Sequence, residues 1–264
     1  MTIELTALPD ETRAMDTRDP VARRILTVLE ACAANRRPAT ITELVEKTGL
    51  AKSTVHRMCW KLQELGMLDY SDDGFQIGAK MMALASANPD VANLRRTAMP
   101  CLMELQNFAG AANLAIRSGN RALIVDGLYT ANYRLTPRTG AALPLHLTAV
   151  GKAMLASLDP DDQRQFLARG GLVAATPRSI VHPGRLRREL DGIAERGFAV
   201  ALEEFKLGTV GVAAAFRVHG GLIAAIGSVG TSSNRAVLGS ADRVVAAATQ
   251  LQRIFDSRRM AVGL

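Results

Sequence analysis

The chain has 264 residues, 48% of them hydrophobic and only 4% aromatic, enough apolar material for two modest domains with mainly aliphatic cores. Its formal net charge of +7 is unevenly spread: residues 1–87 hold 11 Lys/Arg against 12 Asp/Glu, and residues 88–264 hold 21 against 13. The global value therefore argues little for nucleic acid, and with no apolar run long enough to span a bilayer and no signal-peptide core, a cytoplasmic protein without a membrane partner is expected.

Residues 1–19 are mixed, polar and rather acidic, and are expected to form a disordered tail. Pro20 opens a helix whose buried stripe is predicted to be Val21, Ile25, Val28, Leu29 and Cys32. Arg23, Arg24, Arg36 and Arg37 lie outward or just past its end, where they either meet phosphates or are simply solvated. Thr40 followed by Glu43 is a capping box, so a second helix should begin at Ile41, with Ile41, Leu44 and Val45 on its buried face and Gly49 ending it.

A third helix starts near Ala51. Val55, Met58, Cys59, Leu62 and Leu65 follow a three-to-four spacing that predicts its buried stripe. The opposite face carries Lys52, Ser53, His56, Arg57, Trp60, Lys61 and Glu64, and from 51 to 61 there are three positive charges and no negative one. Gly66 stops the helix, and strands are predicted over Met67–Tyr70 and Phe75–Ile77, joined by a turn at Ser71-Asp72-Asp73-Gly74. Capped helix, helix-ending glycine, basic helix and hairpin in series describe a winged helix-turn-helix, which lays one helix in a DNA major groove. Lysine and arginine neutralise phosphates, and short hydroxyls and arginine reach base edges. Lys52, Ser53, Thr54, His56, Arg57, Trp60 and Lys61 are accordingly the expected DNA-facing residues. Taken alone, the third helix could equally be a solvated surface helix; the series of elements around it is what favours DNA.

Ala79–Ala87 reads as a linker helix, with the domain boundary near Asn88 because the residue before Pro89 is biased out of the helical region. A long helix over about Val91–Ala109 should be interrupted or reset near Pro100. Asn113–Arg117 and Ala122–Gly127 are short apolar runs around Ser118-Gly119-Asn120, a hairpin signal. Pro137–Gly140 marks a loop and Pro144–His146 an extended piece. Helices are predicted over Thr148–Leu158, from Asp159-Pro160 to about Ala168, and over Gly184–Arg196, the last with an arginine-rich solvated face. Gly197–Leu202, Thr209–Arg217 and Leu222–Val229 read as strands, and a final helix should run from about Val237 to Phe255. The fold class is α+β with an antiparallel sheet, divided as tail 1–19, winged domain 20–78, linker 79–90 and sensor domain 91–264.

Catalysis finds no support. There is no GxSxG, HExxH, Walker A loop or paired metal-ligand motif, and no cofactor is expected. His146 reads as a satisfied loop histidine. Glu203 and Glu204, if on a strand, point to opposite faces and make a poor carboxylate pair. Cys32, Cys59 and Cys101 form no paired spacing and fall at apolar helical positions, which suits buried free thiols in a reducing compartment.

The runs GLAKSTVHRMCWKLQELGMLDY, LPLHLTAVGKAMLA and GFAVALEEFKLGTVGVAAAF occur in this order, and the chain from about Pro20 to Phe255 resembles the IclR family of bacterial transcriptional regulators. The resemblance implies a GAF-like sensor domain, dimers or tetramers on a pseudo-palindromic DNA operator, and a small, often carboxylate-bearing effector. That effector is held by the loop around Gly151-Lys152-Ala153 and by facing strands. By the same resemblance the effector positions are Leu143, Ala149, Val150, Met154, Ala201, Gly211, Gly227 and Val229. Here the family's usual acidic pair is replaced by Ala201-Leu202, its cysteine by Gly211, and its serines by Gly227 and Val229. Losing those hydrogen-bonding groups predicts a roomier, more apolar pocket for an aromatic or hydrophobic effector held partly by backbone amides; a vestigial pocket is the other reading. The alternative for the whole chain is a cytosolic enzyme or metabolite-binding protein whose winged domain serves protein interaction.

Overall fold

The computed structural model describes residues 20–35, 37–130 and 137–261, with side chains to Ser257. The expected disordered tail and Arg36 lie outside the described residues. The chain divides into two compact units that meet between Pro89 and Asp90.

In the first unit, α1 (Pro20–Ala33), α2 (Ile41–Thr48) and α3 (Lys52–Glu64) precede a hairpin of β1 (Leu68–Ser71) and β2 (Gly74–Ile77), and α4 (Ala79–Ser86) follows. The capping box at α2 forms as its sequence dictates. Thr40 Oγ1 accepts from the Glu43 N–H at 3.3 Å, and Glu43 returns a bond to the Thr40 N–H at 2.9 Å. Gly49 closes α2 in the left-handed conformation at φ 66°. The core gathers Val28, Cys32, Leu44, Val55, Cys59, Leu62, Leu68 and Phe75. Two residues of the predicted stripes fall outside it. Val21 is 54% exposed because only the C-terminal half of α1 meets the core, and Leu65 is 47% exposed because the helix ends one residue earlier and turns at Gly66. Cys32 and Cys59 are buried free thiols, and burial pushes them up to about 11 and about 12, so neither is a thiolate near neutrality.

The hairpin is pinned to the helices. Ala39 and Phe75 exchange backbone hydrogen bonds at 2.7 and 2.9 Å. A Cβ on Gly74 would stand 2.4 Å from the Ala39 carbonyl oxygen, so only glycine permits this approach.

The second unit opens with α5 (Pro89–Ala109) and continues β3 (Ala111–Ser118), β4 (Arg121–Tyr129), β5 (Ala142–Pro144), a 3₁₀ turn (Leu145–Leu147), α6 (Ala149–Ala156), α7 (Pro160–Ala168) and α8 (Pro183–Arg196). After these come β6 (Ala199–Leu202), β7 (Thr209–Arg217), β8 (Ile223–Thr231), α9 (Arg235–Leu238) and α10 (Ala241–Ala261). The helix α5 runs unbroken through Pro100, against the expected interruption. Pro100 sits on the exposed side, where water can satisfy the carbonyl its missing N–H leaves open, while Leu94, Ala98, Leu102 and Leu105 hold the other side down. The single final helix expected from Val237 is instead two, broken at Gly239–Ser240.

The six strands form one antiparallel sheet in the order β5-β4-β3-β8-β7-β6. Strand alternation divides its two faces. On β7, Val210, Val212, Ala214 and Phe216 join α5 and α10 in one core, while Ala213 joins α6 and α8 in the other. The α+β class with an antiparallel sheet is as the sequence predicts.

Candidate functional site

On α3 the buried stripe turns Lys52, Ser53, His56, Arg57, Lys61 and Glu64 outward, and Thr54 is half-buried at its edge. Among the described residues, none of Lys52, Arg57 and Lys61 is engaged in an ion pair, and the first turn carries no acid. The face thus presents unneutralised positive charge. Trp60 has a different position from its neighbours. At 37% exposure it lies against the wing, its ring centroid 4.9 Å from that of Tyr70 and 5.3 Å from that of Phe75. Its Nε1–H donates to His56 Nε2 at 3.1 Å, which leaves Nδ1 to carry the proton of the neutral ring. Trp60 therefore ties α3 to the hairpin and orients His56. The two-residue wing tip, Asp72-Asp73, is exposed and acidic, so the cationic surface is that of the helix.

The second unit holds a cavity between α6 and the strands β6, β7 and β8. Leu143, Ala149, Val150, Ala201, Gly211 and Val229, six of the eight effector positions taken from the resemblance, line it. Met154 and Gly227 do not. Met154 is fully buried in the α6-side core. At Gly227 a Cβ would stand 2.4 Å from the Val212 carbonyl oxygen and 2.8 Å from the Ala213 Cβ, so sheet packing dictates glycine there. Gly211 has the same kind of cause: Ala149 Cβ would stand 3.3 Å from its added carbon, and the missing side chain lets α6 begin close to β7.

The helix start is built for a polar contact. Thr148 caps α6, accepting the Gly151 N–H at 3.2 Å and donating to the Pro144 carbonyl at 3.0 Å. The Ala149 and Val150 N–H groups, first in the helix, have no acceptor within it and carry its positive end. The lining is mainly apolar, as expected. The cavity is not roomy, however: its volume of about 70 Å³ is far below the roughly 300–1,000 Å³ of typical ligand pockets. The small residues were filled in by the close approach of α6, not left as open space.

The motif Gly151-Lys152-Ala153 lies inside α6, not in a loop. A Cβ on Gly151 would stand 2.3 Å from the Leu145 carbonyl oxygen, so the glycine lets the 3₁₀ turn pack on the helix. Lys152 is 1% exposed, and its Nζ donates to Glu204 Oε1 at 2.7 Å and to Glu189 Oε1 at 3.4 Å. Arg196 holds Glu189 from the other side at 2.9 Å. Glu203 and Glu204 follow β6 in an irregular segment instead of lying on a strand, with Glu203 at φ 58°. They nevertheless have opposite surroundings. Glu203 pairs with Arg178 at 2.9 Å and accepts the Gly208 N–H at 2.9 Å, whereas Glu204 is buried, and burial pushes its carboxyl above the ordinary range against the pull of Lys152. His146 is buried, with Nε2 3.1 Å from the Val173 carbonyl, a satisfied histidine as read from sequence.

Among the lining residues that sequence reasoning missed are two acceptor-bearing ones, Asn113 on β3 and Glu204. Both are more than nine-tenths buried. A polar residue at an inward-facing position of the apolar run Ala111–Ile116 was the available signal for the first.

Among the described residues no group of His, Cys, Asp and Glu is arranged to hold a metal ion, and no helix is long and apolar enough to cross a membrane. Residues 21–72 match the model of the IclR helix-turn-helix domain, and residues 87–253 match that of the bacterial transcriptional regulator IclR C-terminal domain. The chain is 31% identical over 191 residues to the transcriptional repressor IclR of Escherichia coli K12, covering 70% of each protein. It is 26% identical to the p-hydroxybenzoate hydroxylase transcriptional activator of Acinetobacter baylyi, covering 78% of this chain and 80% of that one. Among solved structures it is similar to an IclR homolog from Microbacterium hydrocarbonoxydans complexed with 4-hydroxybenzoate, with TM-score 0.77 and 24% identity over 89% of this chain and 99% of that one. The first two are named as regulators of transcription and not as enzymes. With both of its units matched in order by the family's two domain models, the chain belongs to the IclR family of bacterial transcriptional regulators: a helix-turn-helix DNA-binding domain followed by an effector domain.

Proposed function

We propose that the protein binds a pseudo-palindromic operator as a dimer or tetramer, with α3 in the major groove. Lys52, Arg57 and Lys61 contact phosphates and bases, Ser53, Thr54 and His56 add polar contacts, and Trp60 works at the junction of helix and wing. The observation that carries this reading is the set of three cations on one exposed face of α3, none in an ion pair among the described residues. A single such helix reads only a few base pairs, so useful specificity calls for two copies. Apolar side chains left exposed in the same unit, Leu26 on α1 at 55%, and Met82 and Leu84 on α4 at 72% and 55%, support pairing through these helices.

The cavity is the effector site in this reading. It takes a small, rather apolar or aromatic metabolite, whose binding shifts operator affinity through a coupling of typically about 1–3 kcal/mol. Its mainly apolar lining supports this, as do the relatives whose names carry p-hydroxybenzoate or 4-hydroxybenzoate. The domains of this reading are the winged domain 20–78, the linker 79–90 and the sensor 91–264.

The test is fluorescence anisotropy of the full-length protein on DNA from upstream of its own gene, across a salt series, beside a scrambled duplex. Specific binding is expected to exceed the scrambled control by roughly a thousandfold or more. Arg57→Ala should cost about 1–3 kcal/mol of affinity and flatten the salt slope by about 1, with unchanged thermal unfolding because the side chain is exposed. Equal, weak binding to both duplexes, or unfolding of Arg57→Ala, would overturn the reading.

A further inference from the structure

The fold settles the hydrogen-bonding polarity of His56 in the free protein. A neutral histidine ring carries one donor and one acceptor and exchanges them between its nitrogens, so an exposed histidine can address either kind of base edge. His56 is exposed, but its ring is not at liberty: Nε2 accepts the Trp60 indole N–H at 3.1 Å. An indole can only donate, so Nε2 is the bare nitrogen and Nδ1 carries the proton. Nδ1 has no hydrogen-bond partner among the described residues. Trp60 is itself held. Its ring centroid stands 4.9 Å from that of Tyr70 and 5.3 Å from that of Phe75, and those two stand 4.9 Å from each other. Phe75 is anchored in turn, 2% exposed and exchanging backbone hydrogen bonds with Ala39. The four-residue spacing that brings His56 and Trp60 together on α3 thus connects an outward ring to the packed base of the wing.

We infer that His56 is a donor-only reader of the operator, fixed in that state by Trp60, and that the base it reads is a guanine. The inference rests on the reading of α3 as the recognition helix and names what one of its side chains selects. With Nε2 occupied, the ring has no acceptor left to offer, so an amino group on a base edge meets only a second donor. In the major groove cytosine presents its N4 amino group, and adenine sets the N6 amino group beside N7. Thymine has the single acceptor O4 beside a methyl group, whereas guanine presents two adjacent acceptors, N7 and O6. Guanine therefore gives a lone Nδ1–H its widest target. Trp60 acts here as a positioning residue, through the tautomer and ring orientation it imposes.

The experiment selects duplexes from a randomised library with the full-length wild type, His56→Ala and Trp60→Phe, and reads the base preferences of each. His56→Ala should lose the preference at one base pair per half-site, and the lost preference should be for guanine. The salt dependence of binding should not change, since a neutral ring releases no counterion. Replacing that guanine by 7-deazaguanine, which lacks the N7 acceptor, should weaken the wild type about three- to tenfold and His56→Ala hardly at all. Trp60→Phe keeps a ring against Tyr70 and Phe75 and removes only the N–H. It should relax the same base pair toward adenine and cytosine and return His56 to a mixture of tautomers, followed in the free protein by long-range nitrogen–proton NMR. A tryptophan that merely props the wing would, when replaced, weaken all duplexes alike and leave the base profile as it is. The inference falls, and the recognition helix stands, if His56→Ala loses no preference or loses one for another base. It falls equally if 7-deazaguanine weakens His56→Ala as much as the wild type, or if Trp60→Phe keeps the wild-type profile. If the wild type enriches no sequence at all, the recognition reading falls and takes the inference with it.

Discussion

Lys61 and Lys152 are the same side chain put to opposite uses. On α3, Lys61 is exposed, free of any ion pair among the described residues, and shares its outward face with Lys52 and Arg57. In the sensor, Lys152 is 1% exposed and held between Glu204 at 2.7 Å and Glu189 at 3.4 Å. The first lysine keeps its charge available for a partner that brings the anions. The second spends its charge internally, holding α6 to the segment after β6 and to α8, and through them the wall of the cavity. Charge counted from composition cannot tell these apart; only burial does.

The sharpest way to break the comparison is one substitution made twice. Lys152→Met leaves the buried Glu204 carboxylate without its cation, while Glu189 keeps Arg196, and should destabilise the sensor unit by about 3–5 kcal/mol, read as a large fall in its unfolding transition. Lys61→Met should leave both transitions in place and weaken operator binding. Equal stability losses at the two sites would mean that the burial contrast has no energetic consequence.

A smaller effect separates steric from chemical causes in the sensor. Gly227→Ser restores the serine that the family commonly carries, but its Cβ would stand 2.4 Å from the Val212 carbonyl oxygen. It should destabilise the sensor by about 1–3 kcal/mol and gain no ligand affinity, as overpacked sites do. An affinity gain without destabilisation would show that the position faces the cavity after all.

The smallest effect is in pH, and its sign differs between Glu43 and Glu204. The Thr40 backbone N–H first, and then the Arg37 guanidinium, hold the Glu43 carboxyl below its ordinary value. Its contribution to the winged unit is present above the ordinary carboxylate range and is lost as pH falls through the depressed value. Burial raises the Glu204 carboxyl. A raised carboxyl contributes stability below its unfolded value and loses it as pH rises through the folded one. The Gly208 N–H holds the Glu203 carboxyl of the sensor below its ordinary value as well, so Glu204 is what sets the units apart: on acidification from pH 7 the winged unit should weaken relative to the sensor, followed by the near-ultraviolet signal of Trp60 against calorimetry of the whole chain. Glu204→Gln should remove the sensor's share. A sensor that weakens first would reverse the assignment.

The winged unit was legible almost to the residue because its signals are local. A capping box needs residues three apart, a helix stripe needs three-to-four spacing, and a turn needs adjacent Asp and Gly, all of which the chain displays directly. Its two misses, Val21 and Leu65, sit at helix ends, where spacing continues but the core does not. The cavity was legible in outline through the family resemblance, and six of its eight positions line the space. Met154 and Gly227 failed because facing is a property of the packed sheet. The expected interruption at Pro100 failed for a related reason: local preference was outweighed by a buried face holding the helix straight.

By itself the sequence determined which segments are helix and which are strand, the place of the division between the units, and the cationic outer face of α3, since each follows from residue type and short-range spacing. Only the tertiary structure decided that small residues in the sensor admit a neighbouring helix and do not enlarge a pocket. It alone also decided that Lys152 is neutralised from 37 and 52 residues away, and that Asn113 and Glu204 face one small space with acceptors unmet. Burial and partnership are set by chain segments far apart in sequence, and no spacing along the chain encodes the distance between them.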